Sequence, residues 1–171
     1  MMTGQQMYDE TFFENLRILI VDDSKAIQKV LMKMLGQLHI QTIRTAMDGG
    51  EALAIIKEGF TPDIILADFE MPVLDGVEFT RIIRTAKDVS IHQVPIIMIT
   101  SHNDYAHFSM ARDAGVSDFL TKPFSLEHLT HHMKAVVRQP RSFIEGTFFT
   151  GPDRRRRAKP GTDRDERRND G

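Results

Sequence analysis

The chain contains 171 residues, of which 41% are hydrophobic and none is cysteine. This length fits one domain of ordinary size with an appendage, and the apolar fraction is sufficient for a sizeable core. The lack of cysteine excludes disulfides and thiolate metal sites. No apolar stretch reaches the roughly 20 residues that span a bilayer, and the start of the sequence carries no signal-peptide pattern. We therefore expect a cytoplasmic protein without a membrane span.

The formal net charge of −2 is unevenly distributed along the chain. Residues 1–140 carry 13 basic and 18 acidic side chains, whereas residues 141–171 carry 9 basic and 6 acidic ones. The last part of the chain therefore differs electrically from the body that precedes it.

Five short apolar segments alternate with segments of helical periodicity. Short apolar runs predict buried parallel strands, and a period of 3.6 residues predicts amphipathic helices. The predicted strands cover residues 17–21, 42–46, 63–67, 95–99 and 117–120, and the predicted helices cover residues 24–38, 50–58, 76–87, 104–114 and 125–137. Five βα units in sequence predict an α/β fold, a doubly wound five-stranded parallel sheet with helices on both faces.

Polar side chains follow four of the predicted strands. Asp22 and Asp23 come after the first strand, Asp68 after the third, Thr100 after the fourth and Lys122 after the fifth. Ligands of open α/β sheets bind just outside the carboxyl ends of the strands, so we expect these five side chains to converge at one edge. Each of them alone is also explained as an ordinary turn or cap residue, and it is their joint order that indicates a site.

Three carboxylates crowded at one edge repel each other, and a hard divalent cation with oxygen ligands relieves that repulsion. Asp22, Asp23 and Asp68 therefore predict a Mg²⁺ site, and Glu70 is counted with them as a candidate ligand.

Lys122 and Thr100 supply a cation and a hydroxyl donor, which suit the oxygens of a transferring phosphoryl group. A carboxylate beside such donors can act as a nucleophile and form an acyl phosphate, and Asp68, alone on its strand, is the candidate. An aspartyl phosphatase is a weaker alternative, because its general acid would be an aspartate at position 70, where this chain has glutamate.

Seven sequence motifs resemble those of one known family. They are Leu19–Ser24, Asp48–Leu53, Pro62–Asp68, Met71–Pro72, Asp75–Gly76, Pro95–Ser101 and Lys122–Phe124. Over about residues 15–138 the chain thereby resembles the CheY-like receiver domains of bacterial two-component response regulators, which have a flavodoxin-like fold. The resemblance implies that Asp68 accepts a phosphoryl group from a histidine kinase or a phosphotransfer protein. It also implies that Asp22 and Asp23 hold Mg²⁺ and that Lys122 contacts the phosphoryl group.

The same resemblance has implications for signal output. Thr100 would move toward the phosphoryl oxygens, and Phe119 matches the switch aromatic of the family. A downstream protein would dock on the surface formed by the fourth helix, the fifth strand and the fifth helix. The Lys122–Pro123 peptide bond is expected to be cis. Glu70 and His102 occupy positions that influence how fast the acyl phosphate is lost.

The predicted organisation is an N-terminal extension over residues 1–14, a receiver over 15–138 and an arginine-rich tail over 139–171, which we expect to be flexible and largely disordered. The tail is too short for a winged helix or an enzyme, so we expect a single-domain regulator that is not an enzyme and acts by protein binding.

Within the tail, Asp153 precedes four arginines, which are Arg154, Arg155, Arg156 and Arg157. Arginine forks recognise phosphates and guanine, and an aspartate can accept from the guanine edge. The run resembles the C-terminal extension of CheY-like proteins that bind cyclic di-GMP and act near the flagellar motor, which implies a motor or chemotaxis component as partner. A solvated tail without a defined ligand is the principal alternative, and interspersed acids argue against general DNA binding.

The histidines allow one further hypothesis. His128 and His132 are four residues apart on the last predicted helix, a spacing acceptable for a transition metal, although a solvated helix face explains them equally. We expect His39, His92 and His107 to be surface residues.

Overall fold

A five-stranded parallel sheet forms the centre of the molecule. The computed structural model describes residues 12–138 and 140–155. The strands are β1 (Arg17–Val21), β2 (Thr42–Ala46), β3 (Ile64–Asp68), β4 (Ile96–Thr100) and β5 (Asp118–Thr121). They lie in the order β2-β1-β3-β4-β5, and all neighbours are parallel. The predicted doubly wound sheet is confirmed, with each strand within one residue of its expected position.

Five main helices connect and flank the strands. They are α1 (Lys25–Gln37), α2 (Gly49–Lys57), α3 (Gly76–Arg84), α4 (Tyr105–Ala114) and α5 (Leu126–Arg138), with a single helical turn at Val89–His92 after α3. Each of the first four helices is capped at its start by a side chain that accepts a backbone N–H of the first turn. The caps of α1 to α4 are Ser24, Asp48, Asp75 and Asp104 respectively. Among the described residues, no helix has the length and apolar character needed to cross a membrane.

The helices pack on both faces of the sheet because the central strands are apolar on both sides. Every residue of β3 and β4 is buried. Leu31 of α1 and Leu129 of α5 belong to the core on one face, whereas Ala52 of α2 and Phe79 of α3 belong to the core on the other. Burial on both faces explains why the strands are continuous apolar runs in the sequence.

The core extends beyond the predicted start of the domain. Phe13 was placed in the N-terminal extension, but it is only 2% exposed and packs with the α1 and α5 core. The neighbouring ring of Phe12 lies 4.6 Å from the Arg138 guanidinium, measured to the ring centroid. These aromatic side chains fill the end of the α1–α5 layer, so the core includes residues of the predicted N-terminal extension.

A short antiparallel hairpin follows α5. Its strands are β6 (Phe143–Glu145) and β7 (Thr150–Pro152). Glu145 accepts from His92 Nε2 at 2.9 Å, and the hairpin backbone approaches Gly115 so closely that a Cβ on Gly151 would lie 2.8 Å from the Gly115 Cα. Tertiary contacts thus hold this hairpin against the domain, within the segment that we predicted to be largely disordered. Residues 156–171 lie outside the described residues.

Arg84 lies under this hairpin, and it is almost completely buried. Its guanidinium donates to three backbone carbonyls, those of Gly115 at 2.8 Å and of His92 and Val94 at 2.7 Å each. The guanidinium carbon lies 5.6 Å from the centroid of the Phe143 ring. Burial lowers the pKa of Arg84 to about 9, which still leaves it charged at neutral pH. Arg84 therefore ties α3, the start of β4 and the start of β5 to the hairpin.

We expect Arg84→Met to lower the free energy of unfolding by about 2 to 5 kcal/mol, because three buried carbonyls lose their donor. Urea unfolding followed by circular dichroism measures the change. Arg81→Met, on an exposed position of the same helix, is the matched control and is expected to change the stability by no more than about 0.5 kcal/mol. Equal stability of the two variants would contradict this role for Arg84.

Candidate functional site

The five predicted strand-end residues meet at one edge of the sheet. Asp22 directly follows β1, Asp68 ends β3 and Thr100 ends β4, while Lys122 follows β5. Ligand atoms of Asp22, Asp23 and Asp68 all lie within 4.8 Å of one another. Parallel strands place their carboxyl ends side by side, which explains how residues distant in sequence reach the same point.

Lys122 is the cation beside Asp22, Asp23 and Asp68, which we call the acidic cluster. Its Nζ donates to Asp68 Oδ1 at 2.7 Å and lies 3.7 Å from Asp22 Oδ2. Burial opposes the charged form of Lys122, but the hydrogen bond and charge of Asp68, together with the charge of Asp22, outweigh it, so the pKa of Lys122 is raised. The ammonium is therefore held in its charged form beside the Asp68 carboxylate.

The negative charges of the two buried carboxylates, Asp22 and Asp68, are only partly balanced by other groups of the protein. Asp22 and Asp68 are 1% and 7% exposed, and burial raises the pKa of both in spite of Lys122. Asp22 Oδ1 accepts from the Ser24 backbone N–H at 2.8 Å. Asp22 Oδ2 has no hydrogen-bond partner among the described residues, and Lys122 at 3.7 Å is beyond hydrogen-bond range. Three crowded carboxylates with an unsatisfied buried oxygen form a donor set that fits a hard divalent cation such as Mg²⁺.

Glu70 lies apart from this cluster. Its side chain is 74% exposed, and its Oε1 accepts from His102 Nε2 at 2.8 Å. The group of carboxylates close enough to share a metal contains Asp22, Asp23 and Asp68 but not Glu70. The structure therefore does not bring the Glu70 carboxylate, counted as a candidate ligand from the sequence, to the position expected of it.

Thr100 connects the acidic cluster to the loop that follows β4. It is 2% exposed, and its hydroxyl oxygen accepts from the His102 backbone N–H at 2.9 Å. Its carbonyl accepts from the Lys122 backbone N–H at 2.8 Å. The Lys122–Pro123 bond is cis, as the resemblance implied.

Gly76 allows α3 to begin against the end of β3. A Cβ on Gly76 would clash with the carbonyl oxygen of Asp68 and would lie 2.8 Å from the Met98 sulfur. The Gly76 N–H donates to the Phe69 carbonyl at 3.0 Å. Any larger residue would push α3 away from the backbone that carries Asp68.

The surface formed by α4, β5 and α5 carries exposed apolar groups. Phe119 of β5 is half-buried, and its ring meets Phe108 edge to face with centroids 5.0 Å apart. Tyr105 and Met110 of α4 are 78% and 50% exposed. Phe119 lies on the strand that leads into Lys122.

The described part of the arginine-rich segment, residues 153–155, lies near the starts of β4 and β5, at the end of the sheet opposite the acidic cluster. Of its predicted site residues, Arg156 and Arg157 lie outside the described residues. Arg154 is placed over the Phe149 ring at 4.0 Å and pairs with Asp113 at 2.7 Å, while Asp153 accepts from the Arg155 N–H at 3.0 Å. Arg154 therefore already has a carboxylate and an aromatic ring as partners.

A groove of about 500 Å³ lies where the chain after α5 meets the domain. Its lining includes Arg141, Arg154 and Arg155 as well as Ser117 and Asp118 at the start of β5. The groove and the acidic cluster are thus at opposite ends of the strands.

Several contacts were not anticipated from the sequence. His92, expected at the surface, is 9% exposed and bonds both Ala86 and Glu145. His132 pairs with Asp118 at 2.7 Å, and the potential metal groups among the described residues do not include it or His128. Both pairings join distant segments, so no local pattern indicates them.

Comparison with known proteins places these features in a family. The family model of the response regulator receiver domain matches residues 18–134. The response regulator MprA of Mycobacterium ulcerans is 37% identical over 125 residues, which are 73% of this chain and 51% of that protein. The chain thus spans about half the length of the curated relatives it matches.

Two solved structures are similar in fold and sequence. The chemotaxis protein CheY4 of Vibrio cholerae has a TM-score of 0.66 and 30% identity, with 71% of this chain and 98% of that chain covered. The receiver domain of the sensor histidine kinase PA1611 from Pseudomonas aeruginosa, solved with magnesium in its active-site cleft, has a TM-score of 0.63 and 33% identity, covering 70% and 94%. With the family model and the relatives in agreement, this chain belongs to the response regulator receiver domain family.

Proposed function

We propose that this chain is a phosphorylation-controlled signalling protein that receives a phosphoryl group on Asp68 and transmits its state by binding another protein. The observation that carries the proposal is the 2.7 Å contact between Lys122 Nζ and Asp68 Oδ1 inside a cluster of three carboxylates. The donor would be a histidine kinase or a histidine phosphotransfer protein in the cytoplasm, as is general for this family. The protein would act by binding a partner rather than as an enzyme.

Each residue of the edge has a role in this proposal. Asp22, Asp23 and Asp68 would hold Mg²⁺, which supplies positive charge for the carboxylates and for the phosphoryl oxygens when it is bound. A carboxylate oxygen of Asp68 attacks phosphorus, and the bond from phosphorus to the donor imidazole nitrogen breaks with its electron pair leaving on that nitrogen. Lys122 compensates charge on the phosphoryl oxygens.

Signal output follows from the position of Thr100. Phosphorylation adds an oxygen-rich group that the Thr100 hydroxyl can bond, and that hydroxyl would then move away from the His102 N–H it now accepts from. The β4 end and the β5 end are joined through the bond from the Lys122 N–H to the Thr100 carbonyl. A shift at Thr100 would therefore reach β5 and Phe119, which lie at the surface where a downstream protein would dock.

The proposal predicts stoichiometric labelling of Asp68. Incubation with radiolabelled acetyl phosphate and Mg²⁺ should incorporate at most one phosphoryl group per chain, because one carboxylate carries the nucleophile. Asp68→Asn should abolish the label, and chelation of Mg²⁺ should do the same. Loss of the label in base and with hydroxylamine identifies an acyl phosphate, which is a mixed anhydride.

Asp88→Asn is the matched control, since Asp88 is an exposed cap and Asn also caps helices. It should be labelled like the unmodified protein. Labelling that persists in Asp68→Asn would overturn the assignment. Sustained release of phosphate over many turnovers would instead favour the phosphatase alternative for the same aspartate.

The crowding of buried carboxylates predicts that removing one of their charges changes the thermal stability of the protein. Without divalent cations, Asp22→Asn should raise the melting temperature, because it removes one buried charge and keeps the oxygen that accepts from Ser24. Mg²⁺ should raise the melting temperature of the unmodified protein by mass action and that of the variant less. Differential scanning calorimetry with and without Mg²⁺ measures both, with Asp88→Asn expected to respond like the unmodified protein. A destabilised Asp22→Asn with an unchanged Mg²⁺ response would contradict the proposal.

A second candidate function is the binding of cyclic di-GMP by the arginine-rich segment. The groove of about 500 Å³ supports it, because Arg141, Arg154 and Arg155 are among its lining residues and can offer forked donors to phosphates and guanine. Asp153, Arg156 and Arg157 belong to the same proposal on the basis of the sequence. The partner of such a two-input protein would be a flagellar motor or chemotaxis component.

This candidate predicts micromolar or tighter binding of cyclic di-GMP in a calorimetric titration. The double change Arg154→Ala and Arg155→Ala should weaken binding at least about tenfold, because each charged donor contributes about 1.5 to 3 kcal/mol. Arg81→Ala, exposed on α3, is the control and should bind like the unmodified chain. The intact hairpin is kept in all variants because it covers Arg84. No heat with the unmodified chain would leave phosphorylation as the input of this protein.

A further inference from the structure

A second cluster of potential metal ligands lies beside the acidic cluster, on the loop after β4 and the first turn of α4. It consists of His102, Asp104 and His107, and one ligand atom from each lies within 4.8 Å of the others. We call these three residues the histidine cluster. The bond from His102 Nε2 to Glu70, at 2.8 Å, adds a second carboxylate at its margin.

The two imidazole rings are held face to face. Their centroids are 4.0 Å apart and their planes differ by 5°. The ring of Phe69 meets both edge to face, with centroids 5.8 Å from His102 and 5.2 Å from His107. Phe69 is itself 8% exposed, so the two rings rest on a fixed part of the core. The nitrogens of both rings are therefore brought together by packing as well as by hydrogen bonds.

Each ring is also oriented by a carboxylate. His107 Nδ1 bonds Asp104 Oδ2 at 2.6 Å, and His102 Nε2 bonds Glu70 Oε1 at 2.8 Å. On binding an ion, His107 Nδ1 and Asp104 Oδ2 would exchange this hydrogen bond for bonds to the metal. His102, whose Nε2 donates to Glu70, keeps the lone pair of its other nitrogen for the ion. Asp104 itself is anchored as the cap of α4, since its Oδ1 accepts from the His107 backbone N–H at 3.1 Å.

The donor set determines which ion would fit. Two imidazoles and a carboxylate suit Zn²⁺ and similar borderline transition metals, whereas Mg²⁺ takes oxygen ligands. Metal–ligand bonds of about 2.0 Å in a tetrahedron place ligand atoms about 3.3 Å apart, so a modest rotation of these side chains would close the site. The side chains of His102, His107 and Asp104 are 32%, 34% and 50% exposed, which leaves both room for rotation and a path for the ion.

We propose that His102, Asp104 and His107 form a binding site for a transition-metal ion of the Zn²⁺ type, separate from the acidic cluster that fits Mg²⁺. Glu70 orients His102 by accepting a hydrogen bond from its Nε2. The His102 backbone N–H donates to the Thr100 hydroxyl, and Glu70 is two residues after Asp68. An ion at this site would therefore hold the loops after β3 and β4, which form the entrance of the acidic cluster.

The test uses the full chain and the metal alone. Co²⁺, which absorbs strongly in a tetrahedral site with nitrogen ligands and weakly in an octahedral oxygen site, is titrated in the presence of excess Mg²⁺. Zn²⁺ is then titrated by calorimetry under the same conditions. We expect one ion per chain with a tetrahedral Co²⁺ spectrum, and we expect His102→Gln and His107→Gln each to weaken binding at least about tenfold.

Two control variants make the assignment specific. His128→Gln removes an exposed histidine of α5 and should leave affinity and spectrum unchanged. Asp23→Asn removes an exposed member of the acidic cluster and should also leave them unchanged. Circular dichroism of each variant confirms that it is folded.

Three results would overturn the proposal. They are the absence of a tetrahedral Co²⁺ spectrum in the unmodified chain, full affinity in both His102→Gln and His107→Gln, and loss of binding in Asp23→Asn or His128→Gln. The readout is metal binding and is independent of labelling at Asp68, so its failure is distinguishable from failure of the proposed phosphorylation.

Discussion

The burial of two carboxylates at the end of a parallel sheet is the constraint on which the rest of this structure depends. Asp22 and Asp68 are nearly inaccessible, and burial raises the pKa of each. Lys122 bonds Asp68 but lies too far from Asp22 Oδ2 for a hydrogen bond. An excess of buried negative charge therefore remains, and it must be offset by a cation or by a change in the charge of the site. A site with this imbalance responds strongly to a bound ion or a phosphoryl group.

The two ends of the sheet are built in different ways. The carboxyl ends of the strands hold acidic groups around one lysine, whereas the amino ends of β4 and β5 rest on the buried Arg84. That guanidinium extends from α3 and bonds three carbonyls from two further segments, one before β4 and one before β5, beneath the hairpin. The arginine-lined groove lies at this second end. The groove and Asp68 are thus at opposite ends of the sheet.

The loops after β3 and β4 form the entrance to the acidic cluster, and they are linked to each other by side chains. Glu70 on the first loop bonds His102 on the second, and His102 stacks on His107. The backbone N–H of His102 donates a hydrogen bond to the Thr100 hydroxyl oxygen. Any event that moves Thr100 must therefore alter this network, and any ion that binds the histidine cluster must bias Thr100. The proposed metal site and the proposed phosphorylation are physically adjacent for this reason.

The sequence by itself determined the five strands, the five main helices and the convergence of the polar strand-end residues. These residues are Asp22, Asp23, Asp68, Thr100 and Lys122. Strands buried on both faces are continuous apolar runs, and the ends of parallel strands meet at one edge whatever the loops contain. Only the tertiary structure decided the burial of Phe13 and His92, the hairpin of residues 143–152 and the pairing of Glu70 with His102. The hairpin strands are three residues long, and their position depends on close approach to Gly115 rather than on periodicity. Such features are set by contacts between distant segments and by side-chain rotamers, and a local sequence pattern contains neither.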